Sequence, residues 1–325
     1  MAQSLILVVA LLLLPGPATA QPQGRIVFVS SREGQFNKIW VMNANGSAQT
    51  QLSFGTGNET DPAWSPDGES IVFVSNPVPG SDGTHITLMD RHGQGMRNIT
   101  TEPGGYRHPQ FSPDGTQMLF SKRIGDSETE LFVIGSDGGE RRHLPMPLDV
   151  AAGDVASFDQ PTWAPDGLTI AFWVWRQSEQ RSPNNGHVYR AGIDGQHLEM
   201  LTDGVGRNGD PAWSPDGLHI AFFGARPEGE GIFLISATGG RPELLPVVGV
   251  IGGPRWSPDS EWITYVSTRD GSQDIFIVRA DGTEAVNLTQ GIMPADHSPA
   301  WSPAALRSIP TVVVGMSWGD AKSGK

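Results

Sequence analysis

Cysteine is absent from all 325 residues. That excludes disulfides, thiolate metal sites and a Cys nucleophile, and also a bacterial lipid anchor, which needs a Cys at the cleavage point. Charge is sparse, at 18% of residues, and positive charge is the scarcer sign, giving a formal net charge of −13. A chain this acidic is repelled by nucleic acid and by anionic membrane surfaces, so neither is expected as a partner. No long window has apolar residues at i, i+3, i+4 and i+7 with helix formers between them, so a helical fold is not expected. After residue 20 no segment is apolar enough to span a bilayer.

The one continuous apolar run, Leu5 to Leu14, is ten residues long. No Lys or Arg precedes it, so the α-amino group is the only positive charge in front. Pro15-Gly16-Pro17 and Ala18-Thr19-Ala20 follow. The run is too short to cross a membrane and has the length of a signal-peptide core before a small-x-small cleavage site. This predicts a signal peptide over residues 1–20, cleavage after Ala20 (an uncleaved anchor being the alternative), and a soluble periplasmic or secreted mature protein.

What is abundant is glycine, 41 residues, and proline, 26 residues, a balance that suits many short strands joined by tight turns. Those residues recur in register. Asp61-Pro-Ala-Trp-Ser-Pro-Asp-Gly68 returns nearly unchanged at Asp210 to Gly217, and weaker copies begin at His108, Gln160, Gly253 and Ser298. The aromatic position steps from Trp64 to Phe111, Trp163, Trp213, Trp256 and Trp301, at intervals of 47, 52, 50, 43 and 45 residues. That is the length of a four-stranded propeller blade.

Each unit reads as four strands. Pro-x-Trp is a short first strand and Ser-Pro-Asp-Gly a tight turn, with Pro presetting φ and Gly taking the φ > 0 position. Second strands such as Ile71-Val-Phe-Val74 and third strands such as Ile275-Phe-Ile-Val278 follow, then a second turn such as Ala280-Asp-Gly282 and a brief fourth strand. Arg25-Ile-Val-Phe-Val29 is a second strand with no first strand before it, and Pro299-Ala-Trp301 is a first strand with no second after it. Joined, the two ends make one blade and leave no free edge. The expectation is an all-β, six-bladed β-propeller over residues 21–303, closed by its terminal strands, with 304–325 a tail or an extra strand.

The WSPDG units, each followed by an Ile-Ala-Phe-like strand and a D-G turn, resemble the repeats of TolB-type propellers, and the resemblance covers about residues 24 to 303. It implies an exported binding protein. TolB propellers are periplasmic members of the Tol–Pal envelope system and bind the peptidoglycan-associated lipoprotein at the channel mouth. In TolB an α/β domain precedes the propeller, whereas here the repeats begin a few residues after the expected cleavage site.

Strand order divides the two faces of the disc. The first-to-second and third-to-fourth turns are tight and share one face. The longer blade-to-blade and second-to-third connections share the other, where binding loops on a rigid scaffold are expected. The residues before each first-strand proline should ring the channel mouth: Thr60-Asp61, Arg107-His108, Asp159-Gln160, Gly209-Asp210, Gly252-Gly253 and His297-Ser298, with Asp296 beside them. The ligand-binding candidates are therefore Asp61, Arg107, His108, Asp159, Gln160, Asp210, Asp296 and His297. No cofactor is required. Asp61, Asp159 and Asp210 are candidate ligands for Ca²⁺ or another divalent cation. The expected function is a scaffold, monomeric, that binds a protein or small polar ligand. The alternative is a metal-dependent enzyme resembling the oligogalacturonate lyases, with His108, Gln160 and His297 in the ring.

Gly315-Met-Ser317-Trp-Gly319 matches the G-x-S-x-G nucleophile elbow of hydrolases. Six residues follow it, too few for the helix and for the Asp and His of a triad. Ser317 is therefore read as a decoy. Asn-x-Ser/Thr sequences occur at Asn45, Asn58, Asn98 and Asn287; two of them fall in fourth-strand endings, where the repeat itself supplies Asn-x-Thr, and the set is read as chance.

Overall fold

The computed structural model describes residues 21–77, 83–125, 128–149, 155–177, 186–291 and 295–303. The expected signal peptide, the tail and Ser317 lie outside them. The described residues form twenty-four strands, numbered β1 to β24 in chain order, in six four-stranded antiparallel sheets. The first blade combines both ends of the chain, in the order β24 (Asp296–Trp301), β1 (Arg25–Ser30), β2 (Lys38–Asn43) and β3 (Thr50–Gln51). Blades two to six follow in sequence, with first strands β4 (Asn58–Trp64), β8 (Gly105–Phe111), β12 (Val155–Trp163), β16 (Arg207–Trp213) and β20 (Val250–Trp256). Each first strand contacts those of both neighbouring blades, so together they form the wall of a central channel.

Six hydrophobic clusters fill the seams, each mixing residues of two adjacent blades. The second strands carry one wholly buried ring apiece: Phe28, Phe73, Phe120, Phe172, Phe222 and Tyr265. In four blades that ring stacks on its cross-strand partner, as Phe222 does on Phe233 at 5.6 Å between centroids. Such pairs add to the burial term. This is why the strands read as continuous apolar runs and not as alternating ones.

The tight turns form as the repeat predicts. In the turn after Trp64, Ser65 Oγ donates to Asp67 Oδ1 at 2.6 Å, and that oxygen accepts from Glu69 N at 2.9 Å. The pattern repeats at Ser112/Asp114 and Ser214/Asp216. The fifth whole copy, which has Ser260 in place of Gly, still takes a left-handed φ of 60°. Closure is also direct: Ile26 pairs with Trp301 and Ser30 with Asp296. Arg25 N donates to Ser302 Oγ at 2.9 Å.

One element departs from the reading. The first strands begin well before the proline, as at Asn58 in β4 and Val155 in β12. The ring positions therefore lie inside these strands and not in the loops leading to them.

Candidate functional site: a bulged ring in the channel

Proline has no N–H to give to a ladder, and each first strand carries one near its middle. There the register slips: β4 pairs through Thr60 and resumes at Ala63, and β16 pairs through Gly209 and resumes at Ala212. The residue before each proline is left-handed in every blade, with φ of 52° at Asp61, 49° at His108, 52° at Gln160, 55° at Asp210, 71° at Gly253 and 50° at Ser298. For residues other than Gly this costs about 1–2 kcal/mol, so the bulge must be compensated.

The compensation runs round the ring, from a side chain of one blade to the bulged N–H of the next. His108 N donates to Asp61 Oδ2 at 3.4 Å, Asp210 N to Gln160 Oε1 at 2.8 Å, and Gly253 N to Asp210 Oδ2 at 2.7 Å. In blade four His108 acts through a carboxylate. Its Nδ1 lies 2.9 Å from Asp159 Oδ1, which accepts from Gln160 N at 2.8 Å. Ser121 Oγ also donates to that oxygen.

His108 thus sits between two carboxylates, with Nε2 3.9 Å from Asp61 Oδ1. Burial opposes its charge, but Asp61 and Asp159 outweigh burial and push its pKa up to about 9. Burial likewise opposes ionisation of Asp159, yet His108 and the hydrogen bonds it accepts hold it at about 2. At neutral pH the pair is ionised. His297 goes the other way: burial lowers its pKa despite Asp61 and Asp296 nearby, leaving it neutral.

The other expected residues separate into distinct settings. Asp210 pairs with Arg255, whose Nη1 and Nη2 each lie 3.2 Å from Oδ1. Arg107 keeps half its side chain in solvent, 4.0 Å from Asp159 Oδ2. Asp296 lies inside the closing blade, wholly buried and 2.7 Å from Arg32 Nη2, and does not face the channel mouth. His297 Nδ1 contacts Ser298 Oγ at 3.0 Å. Asp61, Asp159 and Asp210 are each engaged with a neighbouring blade or cation. Among the described residues no group of three or more His, Asp or Glu side chains is arranged to hold a metal ion.

Sequence reasoning missed Arg255, Ser121 and Arg32. Arg255 had a signal: it occupies the x of Pro-x-Trp, where the other blades have Ala63, Gln110, Thr162, Ala212 and Ala300.

The ring opens on a cavity of about 370 Å³ that runs down the channel to the Pro-x-Trp layer. The repeats that build this six-bladed ring match a known family model. The family model of the TolB beta propeller domain (PD40) fits residues 15–145 and 78–248. The chain belongs to the TolB β-propeller family. TolB from Acinetobacter baumannii superposes with a TM-score of 0.69 at 21% identity, over 86% of this chain and 67% of that one. A putative TolB from Agrobacterium tumefaciens gives 0.62 at 20% identity, over 82% and 88%. At these identities the likeness to TolB establishes the fold. A Bacillus subtilis protein named Uncharacterized peptidase YuxL is 24% identical over 127 residues, 38% of this chain. The chain spans 19% of that relative's length. No helix among the described residues is long and apolar enough to cross a membrane.

Proposed function

We propose that this TolB-type propeller is an exported binding module whose long-loop face and channel mouth dock a protein partner. The carrying observation is the large apolar side chains exposed on that face. Phe54 is 72% exposed and Val248 64%, on blade-to-blade connections, and Ile251 is 47% exposed at the channel edge. Large apolar side chains left in water around a concave polar centre are the composition of a docking surface. The charges of the ring support binding over turnover: His108 is held as a cation by two carboxylates and Arg255 is paired with Asp210, so both are occupied in joining blades.

The test is capture of partners from a cell-envelope extract by the purified protein. Phe54→Asp and Val248→Asp should each lower the captured amount about tenfold with the fold intact by circular dichroism. Equal capture by both variants would overturn the docking face.

A further inference from the structure

The side-chain relay round the channel is incomplete, and it breaks in one sector. Blades three to six each receive a side-chain oxygen at the bulged N–H, from Asp61, Asp159, Gln160 and Asp210. Blade one should receive it from the ring residue of blade six, which is Gly253 and has no side chain. Blade two should receive it from Ser298, whose short hydroxyl is turned to His297 Nδ1 instead. Ser298 and Asp61 share the left-handed φ and the bulged register of the other four. Their N–H groups therefore point the same way, and no side chain among the described residues caps either one. The cavity reaches this sector: beyond the ring and Pro-x-Trp positions its lining includes Ile251, Val266, Gln273 and His297 of blades six and one, with Pro215 of blade five.

We infer that the gap at Gly253 is a ligand subsite for an amide group. The amide oxygen accepts from the N–H of Ser298, with that of Asp61 beside it, and the amide N–H donates to the Asp61 carboxylate. The cations nearby are already paired, His108 with Asp159 at 2.9 Å and Arg255 with Asp210 at 3.2 Å, while Asp61 lies 3.9 Å from the His108 ring and keeps lone pairs for a further donor. The uncapped groups are thus neutral donors next to one acceptor, a pattern that a neutral amide matches and a phosphate or an ammonium does not. An amide of this kind is carried by a polypeptide main chain and by an N-acetylated sugar. The inference rests on the channel mouth being the binding face.

Gly253 offers the decisive substitution. A Cβ there would lie 3.9 Å from Asp210 Oδ2 and from Val266 Cγ2, ordinary contact distances. Gln160 holds the equivalent φ already. Gly253→Gln should thus complete the relay, and Gly253→Ala supplies the Cβ without the oxygen. The full chain is titrated with N-methylacetamide, then with a capped dialanine peptide and with N-acetylglucosamine, while ¹⁵N–¹H spectra follow the amides of Asp61 and Ser298. In the wild type and Gly253→Ala these signals should shift and saturate; in Gly253→Gln the affinity should fall at least tenfold. Gly253→Gln should also unfold at a higher denaturant midpoint than Gly253→Ala. Saturation by the peptide or by the sugar identifies the source of the amide. Absence of a saturable shift with all three probes, equal titration of Gly253→Gln, or no gain in midpoint over Gly253→Ala would each overturn the subsite. A chain that captures no envelope partner yet titrates with the amide keeps the subsite and loses the docking face.

Discussion

His108 is a channel residue whose protonation the fold decides. Its pKa is raised from 6.5 to about 9, so the stabilisation it confers is complete below about pH 6.5 and is lost as pH rises through about 9. Asp159, held at about 2 against an ordinary 3.8, contributes in the opposite range: its share is complete above about 3.8 and lost as pH falls through about 2. Between these limits the pair ties blade three to blade four. His108→Gln should therefore flatten the fall in unfolding free energy between pH 6.5 and 9, measured by urea denaturation at a series of pH values. An unchanged alkaline slope would remove His108 from that role. The sequence placed His108 and Asp159 in one ring but not in contact, because their contact depends on how far adjacent blades rotate. Asp296 shows the limit more sharply. Two positions before Ser298 in the chain, it turns into the closing blade and not toward the channel.

At the scale of the element, the Ser-Pro-Asp-Gly turn is the unit the sequence displays most completely. Its local hydrogen bonds are encoded by adjacent residues and need no neighbour. The Ser65 hydroxyl and the Glu69 amide hold the Asp67 carboxyl below its usual range, and the Ser112 hydroxyl and Thr116 do the same for Asp114. Carboxyls with lowered pKa stabilise above their unfolded values and lose that contribution as pH falls, so these turns add to acid sensitivity. Blade four tests the same unit with Ala164 where the others have Ser, and its Asp166 still accepts from Leu168 N at 2.8 Å and Thr169 N at 2.9 Å. Ser112→Ala should therefore leave the turn formed and cost about 1 kcal/mol, read from the shift in denaturant midpoint. The bulge is the element that strand patterning concealed. Proline predicted a break in the ladder, but only the paired strands show that the chain continues through it with the preceding residue left-handed.

For the whole molecule, closure of the ring joins the two ends of the chain in one blade. The terminal strands are joined by the β1–β24 ladder and by Arg32, which reaches Asp296 and lies over the Trp40 ring at 4.8 Å. Asp296 is wholly buried; Arg32 reaches its Oδ2, and its Oδ1 has no hydrogen-bond partner among the described residues. Arg32→Ala would leave a buried carboxylate uncompensated, a change that costs about 3–5 kcal/mol. Thermal unfolding should show a clear drop in midpoint, with Asp296→Asn in the same background recovering part of it. No recovery would mean that Arg32 acts through its packing on Trp40 alone.

The blade number, the strand order and the joining of the two ends were determined by the sequence alone. They follow from a repeat whose turns and apolar strands are encoded within about fifty residues of contiguous chain. The partners of the polar residues were decided only by the tertiary structure. Asp61 meets His108, Asp210 meets Arg255 and Arg32 meets Asp296 across 47, 45 and 264 positions of sequence. No local spacing encodes such contacts, because the rotation of one blade on the next sets which side chain reaches which.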